Sequence, residues 1–232
     1  MARRPVVNRL LAALQPAGRR RLLENCQRVE LTLADVLWES AARIRHVYFP
    51  LDSMICLLMP IDGHPSPEVR LVGNEGMLGV SLMLGVDISP LRAVVQGSGA
   101  ALRMTAASLR RERESNPALQ RALNRYTYVL LEQLSQAKAC ISFHVLEARL
   151  ARWLLMTHDR AHSNEFHLTH EFLAQILGVR RVGVTNAAGL LQKQDLLSYS
   201  RGDIVVLDRA GLEAVSCNCY RAGKNTYERV LG

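Results

Sequence analysis

Between residues 180 and 192 two arginines, Arg180 and Arg181, stand ahead of Thr185, Asn186 and Gln192. On a helix advancing about 100° per residue, Val182, Thr185, Asn186, Gly189 and Gln192 share one face. Val184, Ala187, Ala188 and Leu191 share the other. Arginine can grip a guanine edge with two hydrogen bonds, and asparagine can do the same to adenine. A face of small, hydrogen-bonding residues with arginine at its leading end suits the major groove, which is wide enough to admit a helix. Gly183 and Gly189 each cost such a helix about 1 kcal/mol relative to alanine.

The elements that must position this face lie in residues 168–207. Thr169 is a good helix N-cap, and Glu171 complements the dipole in the first turn. Phe172, Leu173, Ile176 and Leu177 then form one apolar face, and Gly178 breaks the helix. The second helix runs from about Arg180 to Gln194. Two helices joined by a tight glycine-containing turn give the helix-turn-helix layout. Residues 196–207 follow as a hairpin, with Arg201 and Gly202 at its turn. A hairpin directly after a helix-turn-helix makes the winged form. Arg181, Thr185 and Asn186 are expected to read bases. Thr169, His170, Arg180 and Arg201 are expected mostly to hold phosphates, the first two at a helix N-terminus.

Other reactive residues are scattered. The five cysteines are Cys26, Cys56, Cys140, Cys217 and Cys219. An odd count at irregular spacing argues against a disulfide framework and fits a reducing compartment. Cys217 and Cys219 alone cannot complete a tetrahedral zinc site, and the sequence offers no second close cluster. Among the histidines only His158 and His162 stand four apart, in a segment read as a helix end and loop. No metal and no cofactor are therefore expected; a thiol switch stays open. No nucleophile elbow, phosphate-binding glycine loop or acid–base carboxylate pair is present, so no enzyme is expected.

The chain of 232 residues has a net charge of +8. Such a balance favours a polyanionic partner. Residues 1–144 hold 18 basic and 12 acidic side chains, and residues 145–232 hold 11 and 9. The charge thus supports the interface without locating it. Arg3, Arg4, Arg9, Arg19, Arg20 and Arg21 read as a solvated surface. Aromatic residues make up only 5%, which disfavours stacking on single strands. No signal peptide and no membrane span are read, so a cytoplasmic protein is expected.

Upstream, residues 7–25 read as two short helical pieces split by Pro16 and Gly18. Residues 29–104 alternate short apolar runs with turns, including Val47-Tyr48-Phe49-Pro50, Met54 to Met59, and Val69 to Val72. Asp62-Gly63-His64-Pro65 is one separator. This rhythm predicts a small antiparallel barrel or sandwich. Asn116-Pro117 then opens a long helix. Leu119, Leu123, Tyr126 and Leu130 run along it at spacings of four, three and four, with Leu134, Ala137 and Ile141 continuing the stripe. Such a seam invites a partner helix, although packing on the chain's own barrel is the alternative. A further helix starts near Val145 and ends around residues 157–159, with a loop over residues 160–165.

Residues 168–185, followed by Leu190-Leu191-Gln192-Lys193-Gln194-Asp195-Leu196-Leu197, resemble the DNA-binding module of Crp/Fnr regulators. Val47-Tyr48-Phe49-Pro50 and residues 71–79 resemble that family's cyclic-nucleotide-binding-like barrel. Residues 147–155 resemble the segment after its dimer helix. The resemblance implies an α+β protein in three parts. Residues 1–115 form an antiparallel β-barrel of the double-stranded β-helix kind, 116–144 a dimerisation helix, and 145–232 a winged helix-turn-helix.

It also implies a homodimer on pseudo-palindromic double-stranded DNA, RNA polymerase as a partner, and a small-molecule effector. Where cyclic-nucleotide-binding members have a Gly-Glu pair, this chain has Gly79-Val80. Where they have arginine followed by Ser or Thr, it has Arg92-Ala93. Cyclic AMP is therefore not expected in the usual way, and Arg92 is the candidate effector-binding residue. The base-reading places read Arg181, Val182 and Asn186, unlike the family's frequent Arg, Glu and Arg. The rival readings are a regulatory subunit acting on a protein partner, and a thiol or metal sensor.

Overall fold

The computed structural model describes residues 7–63, 66–161 and 163–232. Arg3, Arg4, His64, Pro65 and His162 lie outside them. Asn8 opens α1 (Arg9–Ala12), its side chain accepting from the Leu11 N–H, and Pro16 begins α2 (Pro16–Glu24). Seven strands follow: β1 (Gln27–Leu31), β2 (Val36–Trp38), β3 (His46–Pro50), β4 (Met54–Leu58), β5 (Glu68–Val72), β6 (Arg92–Gly97) and β7 (Gly99–Thr105). Then come α3 (Ala106–Ser115), α4 (Pro117–Phe143), α5 (Leu146–Ala161), β8 (Glu165–His167), α6 (His170–Leu177) and α7 (Arg181–Lys193). The chain ends with β9 (Leu197–Ser200), β10 (Asp203–Val206), α8 (Arg209–Val215) and α9 (Cys219–Leu231).

These elements divide between two compact units. One holds Met1–Pro60, Val69–Leu131 and Tyr227–Gly232; the other holds Ile61–Glu68 and Glu132–Thr226. The division falls inside α4 rather than at residues 115 and 144. The reason is packing: Leu119, Leu123, Tyr126 and Leu130 are buried in the first unit's core.

In that first unit the strands pair as β1-β7-β3 and as β2-β6-β4-β5. The barrel is thus two sheets around a shared core, with Val47 and Phe49 from β3 meeting Ile55 from β4 and Val95 from β6. Residues 71–79 are fixed from α4. The Met77 N–H donates to the Tyr126 hydroxyl at 3.0 Å, and Arg70 donates to the same oxygen. Gly76 runs beneath that ring, where an added Cβ would lie 1.6 Å from the hydroxyl. Only glycine leaves the backbone room there.

The start of α4 is set locally. Asn116 Oδ1 accepts from the Leu119 N–H at 3.1 Å, and Pro117 occupies the first helical position. Further along, Tyr128, Leu131, Leu134, Ile141 and Phe143 are all at least half exposed.

The second unit has its own core, in which Leu150 and Leu154 of α5 pack with Leu173, Val184 and Leu191. The helix α5 runs to Ala161, beyond the expected end at 157–159, with Arg160 Nη1 donating to the Met156 carbonyl at 2.8 Å. Glu165 is in a strand rather than a loop. β8 exists because it pairs antiparallel with β10, Asp203 opposite His167, which no local pattern announces.

Candidate nucleic-acid interface

Thr169 caps α6 as expected, Oγ1 accepting from the Phe172 N–H at 3.2 Å. Gly178 ends the helix in the left-handed region, φ 64°, which favours glycine. The Val179 N–H returns to the Ala174 carbonyl at 3.0 Å and fixes the turn into α7. From α5, Arg149 Nη2 donates to the Leu177 carbonyl at 2.6 Å, satisfying an end carbonyl of α6. That positioning role for Arg149 had no signal in the sequence.

The helix α7 buries Val184, Ala187, Ala188 and Leu191. Arg180, Arg181, Val182, Thr185, Asn186 and Gln192 are exposed. Arg180 is the N-cap residue but makes no side-chain cap bond. Among the described residues no hydrogen-bond partner meets the side chains of Arg181 or Asn186. The two glycines differ in purpose. A Cβ at Gly183 would lie 3.1 Å from Leu146 Cδ2, so that glycine serves α5–α7 packing. Nothing lies within 4 Å of the same position on Gly189, which is open to a close approach.

His170 is placed differently from a phosphate ligand. Its ring stacks on Tyr199 of β9, centroids 4.0 Å apart and planes 12° from parallel. Nδ1 lies 3.0 Å from Thr185 Oγ1, which donates in turn to the Arg181 carbonyl at 3.1 Å. Nε2 is buried and has no partner among the described residues. His170 therefore joins α6, α7 and the wing. Thr185 commits its hydroxyl to bonds within the protein, while Arg181, Asn186 and Gln192 carry no side-chain hydrogen-bond partner among the described residues.

Burial, reinforced by the Arg181 charge, holds the His170 pKa below its ordinary value of 6.5. The unfolded chain takes up this proton more readily than the folded one. The neutral ring's contribution is complete above about pH 6.5 and declines as the pH falls below it. The thermal midpoint is expected to fall between about pH 7.5 and 5.5, and to fall less in His170→Gln. Equal slopes in the two proteins would refute this role.

The wing is a three-stranded sheet in the order β8-β10-β9. Its tip is a two-residue turn in which Arg201 and Gly202 have φ of 51° and 96°. Both being positive, the turn matches the right-handed twist of the strands. Arg201 is exposed there, with no hydrogen-bond partner among the described residues.

Two further expectations meet the structure elsewhere. Arg92, at the start of β6, has Nε 3.0 Å from Glu39 Oε2. An anion at Arg92 would have to compete with that carboxylate. The pair Cys217 and Cys219 does not stand alone, as the sequence suggested. Cys140 and His144, distant in sequence, lie beside it. No helix among the described residues is long and apolar enough to cross a membrane.

A glycine-turned helix pair that exposes the second helix beside a short β-wing defines the winged helix-turn-helix class. Residues 148–215 match the Crp-like helix-turn-helix domain. No curated protein sequence matches the chain. FixK2 from Bradyrhizobium japonicum has a similar structure, with TM-score 0.70 and 15% identity, over 83% of this chain and 98% of that one. A regulator of the Crp/Fnr family from Eubacterium rectale gives 0.68 and 16%, over 89% and 96%. The CLP regulator of Xanthomonas campestris, described as responsive to c-di-GMP, gives 0.67 and 13%, over 83% and 99%. Residues 148–215 thus form a Crp-like helix-turn-helix domain, and the chain has the fold of these regulators.

Proposed function

We propose that this protein acts as a homodimer that reads a pseudo-palindromic DNA site through two copies of α7. The observation that carries the reading is the free outer face of α7. Arg181 and Asn186 are exposed and uncommitted there, in the same unit as the wing-tip Arg201. Arg181 would pair with a guanine and Asn186 with an adenine, while Val182 offers methyl groups to thymine. Arg180, Arg201 and the α6 N-terminus at Thr169 would hold phosphates and set the register.

The dimer reading rests on α4. Leu134 and Ile141 are 50% and 58% exposed, and Phe143 is 84% exposed. Leu134 and Ile141 stand seven residues apart on α4, the heptad spacing a partner helix covers, and Val145 is exposed just past the helix end. Two recognition helices would then meet half-sites about 34 Å apart, one turn of DNA. The first unit would receive an effector and bias that spacing. Cyclic AMP in its usual mode is not that effector, because Val80 supplies no ribose carboxylate and Arg92 lies against Glu39. RNA polymerase is the protein partner.

A gel shift against the DNA upstream of the protein's own coding sequence tests the proposal. Three phosphate contacts per half-site predict roughly a thousandfold weaker binding between about 50 and 200 mM salt. Binding with no preference over unrelated DNA, or none at low salt, would sink it.

A further inference from the structure

At the end of α4, Cys140 and His144 stand one turn apart, so their side chains share a face. The His144 N–H still bonds to the Cys140 carbonyl at 3.0 Å, which extends the turn. Cys217 and Cys219 flank the start of α9, Cys219 being its first residue. The ligand atoms of these four residues all lie within 4.8 Å of one another. Cys140 Sγ is 3.5 Å from Cys217 Sγ, and Cys219 Sγ is 3.5 Å from His144 Nδ1. All three cysteines are buried, and His144 is half-buried.

We propose that Cys140, His144, Cys217 and Cys219 form a structural zinc site with three thiolates and one imidazole. A tetrahedral zinc ion sets edges of about 3.8 Å between sulfurs and about 3.6 Å between sulfur and nitrogen. The four atoms match that single-ion scale, whereas a multinuclear iron–sulfur core would need its ligands spread wider. Four protein ligands leave no open position, which is the mark of a structural rather than a catalytic zinc.

The surroundings favour the thiolates. Cys219 sits at a helix N-terminus, where the dipole stabilises negative charge. Gln136 Nε2 donates to Cys219 Sγ at 2.9 Å, a bond of the kind that orients a metal ligand. A zinc ion would displace the thiol protons and bind three thiolates and a neutral imidazole, leaving one net negative charge. A simple dithiol switch would use two of these sulfurs and leave Cys219 and His144 without a purpose.

The test is metal analysis of the untagged full-length protein, purified from cells without chelator. One zinc per chain is expected. Cys140→Ser and Cys217→Ser should each lose it, and Cys26→Ser should keep it. Should the serine variants fail to fold, the wild-type protein serves alone. Zinc released by a mercurial should then appear with the loss of three reactive thiols, and cobalt substituted for zinc should show the intense bands of a tetrahedral thiolate site. Less than about a tenth of an equivalent of zinc in folded protein would overturn the proposal. So would iron with visible absorption, or a Cys140–Cys217 disulfide in untreated protein. None of these readouts depends on DNA, so they stand apart from the DNA-binding result.

Discussion

Leu134→Glu combined with Ile141→Glu is expected to leave a folded monomer that binds two-half-site DNA about two to four orders of magnitude more weakly. These side chains are exposed on α4, so glutamate costs the isolated chain little. In a dimer, each would be buried against the partner helix. Burying an aliphatic side chain stabilises by about 1.5–3 kcal/mol, and four of them are lost across the pair. Each half-site must then be bound separately, without the effective concentration that linkage provides. Sedimentation should show the halved mass, and circular dichroism an unchanged helix content. Leu134→Met with Ile141→Leu should remain dimeric. A glutamate variant that still sediments as a dimer would place the dimer contact elsewhere.

Arg181→Ala is expected to relax specificity at one base pair in each half-site, by roughly 1–3 kcal/mol, or about 5- to 150-fold. The guanidinium is exposed and unbonded at the N-terminal end of α7, the end that enters the groove in related docking geometries. Binding measured over a panel of single-base variants should show the loss confined to one position. Arg201→Ala is the contrast. A phosphate contact at the wing tip should weaken all sites alike and make the salt dependence shallower by about one unit per half-site. A uniform loss for Arg181→Ala would move that residue to the backbone.

Much of this was legible locally. Thr169, Gly178 and the stripe through Val184, Ala187, Ala188 and Leu191 act within a few residues of one another, so capping, left-handed turns and helical period can be read directly. The same holds for Asn116 and Pro117 at the start of α4. The stripe along α4 was harder. Leu119, Leu123, Tyr126 and Leu130 looked like a seam for a partner, yet they are buried in the chain's own core. Periodicity tells which face is apolar, not what covers it.

His170 was misplaced for a similar reason. A histidine at a helix N-terminus looks like a phosphate ligand until Tyr199 and Thr185 are seen around it. The helices α8 and α9 carry local signals of their own, the Asp208 cap on α8 and a strong amphipathic period along α9, which the motif-centred reading of the sequence did not use.

The sequence by itself determined the helix-turn-helix and its wing, since caps, turns and periodicity act between near neighbours. Tertiary structure alone decided how the distant groups met. It turned His170 inward, paired β8 with β10, and carried Cys140 and His144 to Cys217 and Cys219. Those meetings join residues up to 79 positions apart. Their energy comes from packing whole elements together, which no local run of residues encodes.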